Sequence, residues 1–253
     1  MAMRNMGRLL IPARLRGRLR AAQLRLFGEH ARYRGKTNAE IFDAIYSEGM
    51  WGKGSEGEGT SGSGSHTDAL TDTYVTAVGA FLGRIGKPTT LVDLGCGDFS
   101  VGSRIAPFAE RYIACDVSSV ILARNRERWR FPNVEFRLVD LSTDALPPAQ
   151  VAFVRQVLQH LSNTDIARFV ARLEAERPFD FLVVTEHLPK TSDFVPNLDK
   201  DSGANIRLYR NSGVVLHEAP FGLTALEREI LCEGDELVYG IPGVIRTIAY
   251  RLK

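Results

Sequence analysis

Five short apolar runs, each with a polar residue at or next to its end, carry the middle of the chain, at 89–94, 111–116, 134–140, 150–156 and 179–187. Stretches with apolar residues three and four apart separate the first few, around 100–110, 118–129 and 162–176. Strands apolar on both faces, alternating with helices, predict an α/β fold: a parallel sheet covered on both sides. Upstream, residues 38–50 read as a short helix with Asn38 as N-cap and Ile41, Ile45 and Tyr46 on one face. Residues 68–85 read as an amphipathic helix carrying Tyr74, Val78, Phe81, Leu82 and Ile85, closed by Gly86 and Pro88. After His187 the periodicity stops. Residues 189–220 are rich in Pro, Asn, Asp, Gly and Ser, and so long an irregular stretch predicts a functional or mobile segment. Two last runs, 223–239 and 243–252, joined by the turn-rich "GIPG", predict a hairpin on the sheet edge.

The first strand runs into "LVDLGCGDFSVG", which sets Gly95 two before Gly97 and leaves the next glycine at Gly102. A dinucleotide fingerprint needs its third glycine where Ser100 stands. Asp93 and Asp98 flank the turn, and two carboxylates repel a diphosphate. A phosphate-free ligand carrying an ammonium, a carboxylate and a sulfonium fits these charges better, and S-adenosylmethionine is such a ligand. Asp93 suits its ammonium, directly or through water. Gly95, Cys96 and Gly97 give close backbone approach, and the helix N-terminus after them suits its carboxylate. Asp116 ends the second strand, 19 positions beyond Gly97, where its two oxygens can accept both ribose hydroxyls. Asp140 ends the third and suits the adenine amino group; Val117 and Leu141, the residues next to these acids, join the cofactor set. Asp98 and Asp144 read as turn carboxylates. Two rivals stay open: a nicotinamide-dependent oxidoreductase, and a binding module that keeps the pocket without turnover.

Charge adds a second feature. Residues 1–36 hold ten Arg or Lys against Glu29 alone, a net +9 that leaves the remainder at −7 in a chain of +2. Within that segment Leu15, Leu19, Ala22 and Leu26 form a narrow helical stripe between arginines. It reads as a helix on an anionic membrane surface, on nucleic acid or on a partner, or as a solvated helix or tail. The acidic body disfavours nucleic-acid substrates. Residues 49–64 carry seven glycines with serines between them, a linker by composition or a lid by placement, with Trp51 and Tyr46 as an aromatic wall at its edge. Three scattered cysteines, none in a C-x-x-C pair, point to a reducing, cytoplasmic setting and away from disulfides or structural zinc. No other metal-ligand spacing is present.

"LVDLGCGDFS", "YIACDVSS" and "VRQVLQHLSN" resemble the successive motifs of class I S-adenosylmethionine-dependent methyltransferases over roughly residues 40–253. The "IYSEGMWGKG…SGSGS" preamble is similar to a bacterial subgroup with an aromatic, Gly/Ser-rich segment before the core. The resemblance implies a Rossmann-like, seven-stranded, mostly parallel sheet with helices on both faces and one antiparallel edge strand. It also implies the cofactor contacts read from charge, and a small-molecule or glycan acceptor. Two positions depart from the family pattern: Gln150 opens the fourth strand, and Gln156, assigned to the methionine side of the cofactor, stands where relatives carry an acid.

An oxygen acceptor needs a base, whereas a neutral amine or a thiolate does not. His187 and His160 follow the fifth and fourth strands and are the catalytic candidates, each weighed against a packing role. Glu186 either orients His187 or faces the other side of the strand. Arg155 and Gln156 suit polar substrate groups, while His66 and the His217-Glu218 pair read as surface residues. The expected organisation is a basic segment (1–36), a short helix with a Gly/Ser-rich lid or linker (37–67), and the catalytic domain (68–253).

Overall fold

The computed structural model describes residues 30–54, 57, 59–86, 90–238 and 240–253, so the arginine-flanked stripe from Leu15 to Leu26 lies outside the described residues. Seven strands form one sheet: β1 (Thr90–Leu94), β2 (Arg111–Asp116), β3 (Val134–Leu138), β4 (Ala149–Arg155), β5 (Phe179–Pro189), β6 (Glu227–Val238) and β7 (Ile241–Arg251). Their order is β3-β2-β1-β4-β5-β7-β6. The first five are parallel, and β7 runs antiparallel to both β5 and β6. The terminal hairpin therefore lies at the sheet edge as expected. Its antiparallel strand, however, is β7, one place in from the edge, and β6 is the outermost strand. The "GIPG" turn is tighter than it reads. Val238 already pairs with Ile241 and Leu237 with Pro242, so Ile241, Pro242 and Gly243 belong to β7.

Alternation along each strand sends side chains to opposite faces. On one face Val92, Leu94, Ile113 and Val154 pack with Ile41, Phe42 and Ile45 of α1 (Asn38–Glu48) and with Ile166, Phe169 and Leu173 of α4 (Asn163–Glu176). On the other, Leu91, Tyr112, Phe153 and Val183 pack with Tyr74, Val78, Phe81 and Leu82 of α2 (Asp68–Arg84). Helix α3 (Ser119–Arg128) lies over β2 and β3, and its Ile121 and Leu122 meet Tyr46. The region around 100–110 holds only one α-turn, Gly102–Ile105, and a 3-10 turn, Ala106–Phe108.

The N-cap of helix α1 lies one residue before the expected one, and Asn38 is already the first helical residue. Thr37 is the N-cap and forms a full capping box: its hydroxyl accepts from the Glu40 amide, and the Glu40 carboxylate accepts from the Thr37 amide at 2.8 Å. Threonine at the cap with glutamate three residues on outcompetes Asn38, whose amide is drawn to Asp140 and Ser142. Thr37→Ala is expected to lower stability by about 1 kcal/mol in urea titration, with the slope of the transition unchanged.

Candidate functional site

Strand order reverses beside β1, with β2 on one side and β4 on the other, and a pocket opens there at the carboxyl ends of the strands. Gly95 (φ 90°) and Gly97 (φ 55°) make the turn that floors it. A Cβ on Gly95 would meet Val157 at 2.3 Å, and one on Gly97 would meet Ser61 Oγ at the same distance. These glycines thus give room to protein neighbours, where the sequence suggested room for a ligand.

Every backbone amide from Gly95 to Ser100 already has an acceptor. Those of Gly95 and Cys96 both donate to the Cys115 carbonyl at 2.8 Å, and that of Phe99 donates to Cys96. The Gly97 amide donates to Asp116 Oδ2 at 3.0 Å, the Asp98 amide to Ser61 Oγ at 3.0 Å, and the Ser100 amide to Asp98 Oδ1 at 3.1 Å. An anion cradle needs free N–H groups pointing at the ligand, and this turn offers none. That argues against a diphosphate. The helix that follows, whose start was expected to hold a carboxylate, is a single turn, Gly102–Ile105.

Around this floor stand the acids. Asp116 is buried, and besides Gly97 it accepts from the Ser118 amide at 2.9 Å; burial pushes its carboxyl up to about 6 even so. Asp93 is buried on the α2 side, accepts from Tyr112 Oη at 2.9 Å, and burial pushes it up to about 7. Asp140 accepts from the Ser142 amide and hydroxyl, at 2.8 and 2.6 Å, and from Asn38. Asp144 accepts from the Asp140 amide, a turn carboxylate as expected. Asp98 does more than its turn role. Burial works against its charge, yet bonds from His66 Nε2 (2.8 Å), Ser100 and the Ser61 amide hold it below the ordinary carboxylate range.

Through Asp98 the Gly/Ser-rich stretch is fastened to the turn. Residues 59–66 form a strap over the pocket: Gly59 O accepts from Arg124, Gly64 O accepts from Arg155 Nη2 at 2.6 Å, and Ser65 Oγ accepts from Arg155 Nη1 at 3.0 Å. His66, expected at the surface, is part of this fastening, and its bond to Asp98 raises its pKa. Trp51 sits where an aromatic wall was expected, edge-on to Tyr46 at 5.3 Å and 4.7 Å from the His160 ring, with Nε1 donating to Ala204 O.

The pocket lining includes every residue proposed from the sequence as catalytic or cofactor-binding: Trp51, Asp93, Gly95, Cys96, Gly97, Asp116, Val117, Asp140, Leu141, Gln156, His160 and His187. His160 is buried and pushed down to about 3 by that burial; His187 is pushed down to about 4 for the same reason. Both are neutral imidazoles at physiological pH. Glu186 faces away from His187, accepting from the Leu158 amide, while Glu236 Oε2 of β6 lies 3.6 Å from His187 Nδ1. His217 bonds to Tyr250 and is not among the lining residues. Seven buried side-chain polar atoms lack a partner among the described residues, and five of them line this pocket: Ser100 Oγ, Arg155 Nε, Gln159 Oε1, His160 Nδ1 and His187 Nε2. Unpaired buried polar atoms are costly, so their concentration here marks a site for a polar ligand.

Several contributors carried no local signal. Asn125 of α3 donates to Gly97 O at 2.7 Å and holds the turn from above. The stretch between β5 and β6, 190–226, which takes in nearly all of the 189–220 expected as functional or mobile, is built around two buried polar side chains. Asn197 bonds Val215 in both directions and donates to Ala219, and Arg207 donates to the carbonyls of Leu158, Leu161 and Leu198. It adds Ala204, Asn205, Ile206 and Tyr209 to the pocket wall.

No protein-family model matches the chain, and no curated protein does. Among solved structures, the N-terminal domain of EvdMO1, crystallised in the presence of S-adenosylhomocysteine and D-fucose, superposes with a TM-score of 0.52 at 16% identity, over 86% of this chain and 98% of that one. Human N-acetylserotonin methyltransferase in complex with S-adenosylmethionine gives 0.52 at 14% identity, over 98% of this chain and 69% of that one. The chain has the class I methyltransferase fold.

Within that fold the buried acids leave a stability signature. Asp93 and Asp116 hold protons more tightly folded than unfolded. Their contribution is complete below about pH 4, the unfolded carboxyl range, and is lost as pH rises through about 6 and 7. Asp93→Asn is expected to stabilise the ligand-free protein at pH 8 by on the order of 2 kcal/mol and to leave it unchanged at pH 4, read by urea denaturation at the two pH values.

Proposed function

We propose that this chain transfers a methyl group from S-adenosylmethionine to a small polar acceptor, and that the accepting atom is a hydroxyl of a sugar or glycan. The observation that carries the first part is the donor set: acids at the ends of β1, β2 and β3 around a turn with no free amide. Such a set suits a phosphate-free cation and repels a dinucleotide. The five orphaned polar atoms support a ligand in the same pocket, and the fold is that of proteins crystallised with this cofactor or its product.

When bound, S-adenosylmethionine supplies a methyl group on a sulfonium, a donor already activated, so the protein's task is largely positioning. Asp116 would hold the ribose hydroxyls with the lone pairs its two amide bonds leave free. Asp140 would take the adenine amino group, Asp93 the ammonium, and Val117, Leu141 and Trp51 would line the apolar flanks.

Two neutral histidines face the acceptor side. Gln159 Nε2 is 3.4 Å from the Gln156 carbonyl and 3.3 Å from His160 Nε2, so the amide donates and His160 keeps its proton on Nδ1. His160 is then a hydrogen-bond donor. His187, with a carboxylate on its Nδ1 side, is the residue left to take a hydroxyl proton at Nε2. Unpaired donors and acceptors on residues lining one pocket suit a hydroxylated acceptor, since each hydroxyl both gives and accepts. The D-fucose present with the EvdMO1 domain supports a sugar.

On the same reading the protein works in the cytoplasm, with residues 1–36 as a peripheral contact to the anionic inner membrane face; among the described residues no helix is long and apolar enough to cross a membrane. S-adenosylhomocysteine is expected to raise the melting temperature where NAD does not, and Asp116→Asn to weaken its binding by about 1.5–3 kcal/mol in calorimetry. Labelled methyl transfer into a cell extract then identifies the acceptor; stabilisation by NAD alone would overturn the proposal.

A further inference from the structure

The donor proposed above is a zwitterion at its amino-acid end; the helix whose start was expected to hold its carboxylate is a single turn, Gly102–Ile105, and the amides of residues 95–100 before it are all bonded. Something else must meet that negative charge in a pocket whose charged lining is otherwise acidic: Asp93, Asp98, Asp116, Asp140 and Glu236. Arg155 is the one Lys or Arg among the described residues of the lining. It ends β4, the strand beside β1, where Asp93 pairs with Phe153 two residues earlier in β4. Acids on β2 and β3 suit the nucleoside, so the amino-acid end falls on the β4 side of β1.

The surroundings of this guanidinium are incomplete. Nη1 donates to Ser65 Oγ and to Gln156 Oε1 at 3.3 Å, and Nη2 donates to Gly64 O, all neutral oxygens. Among the described residues it forms no ion pair, and its plane sits 5.0 Å from the centre of the Tyr74 ring. Three of five N–H groups are used. The remaining pair is on Nε, buried without a partner, and on Nη2, adjacent nitrogens on one edge of the plane. That edge is the fork that takes a carboxylate side-on. Asp93 and Glu236 act on this cation only from beyond ion-pair distance; a largely buried cation with no directly bonded counter-ion is costly, and an anionic group on the ligand relieves that cost.

We propose that Arg155 binds the carboxylate of the donor's amino-acid moiety, forming with Asp93 a clamp for a zwitterion. This rests on the methyl-donor reading. Because the same guanidinium holds Gly64 and Ser65, the carboxylate and the strap share one residue.

Calorimetry with two ligands tests it. S-adenosylhomocysteine carries ammonium and carboxylate; its decarboxylated analogue, S-adenosyl-3-thiopropylamine, keeps the ammonium alone. The wild-type protein is expected to prefer the first by more than about tenfold, the order of one charge-assisted pair. Arg155→Gln should reduce that preference to under about threefold, chiefly by weakening S-adenosylhomocysteine. Ser65→Ala, which removes a strap bond and keeps the guanidinium, should leave the preference intact. Should Arg155→Gln fail to give a cooperative thermal transition, Arg155→Lys decides: charge without the fork should give an intermediate preference, and a preference equal to wild type would overturn the proposal. Equal weakening of both ligands by Arg155→Gln would also overturn it, leaving Arg155 as a strap anchor. Wild-type protein that binds neither ligand would instead remove the methyl-donor reading.

Discussion

The bond pair made by Asp116 is the constraint on which the site depends. One oxygen accepts from Gly97 and the other from Ser118, so a single buried carboxylate joins the turn after β1 to the end of β2. With the Cys115 carbonyl taking two further amides, the turn is tied to β2 along its whole first half. A turn so fully bonded is rigid and carries no anion-attracting face. What it presents instead is carboxylate, and the buried acids around it hold protons more readily than they would in water.

The strap follows from the same shortage of free amides. The Ser61 hydroxyl accepts from the Asp98 amide while the Ser61 amide donates to the Asp98 carboxylate, a reciprocal pair between residues 37 apart in sequence. His66 adds a third tie. A Gly/Ser composition alone leaves linker and lid equally open. Placement against Asp98 and Arg155 gives the segment a seat, and the small residues are what allow it to lie so near Gly97 and Gln156.

The apolar runs announced the strands because β1, β2, β4 and β5 are largely buried on both faces, whereas β3 at the sheet edge is half-exposed; the acids at their ends were legible because parallel strands deliver their termini to one edge. Less could be read where a choice is settled by distant partners. Thr37 rather than Asn38 caps α1 because Glu40 answers it and because Asp140, a hundred residues on, engages Asn38. Which way Glu186 faces was open until the Leu158 amide fixed it. Asn125, Asn197 and Arg207 are ordinary polar residues in sequence; only the loops they bridge give them a role. The spent amides of the turn lay equally out of reach, since three of the six donate to side chains, two to the Cys115 carbonyl of β2 and one to a carbonyl within the turn itself.

Segment 190–226 divides the pocket by origin. The acids near β1, β2 and β3 belong to the sheet, whereas Ala204, Asn205, Ile206 and Tyr209 come from one continuous excursion pinned at Asn197 and Arg207. Those pins bind backbone, not the side chains that face the cavity. The inward side chains of the excursion are therefore held apart from the bonds that fix its path, so this wall of the pocket can vary while the half of the molecule that the sheet builds stays put.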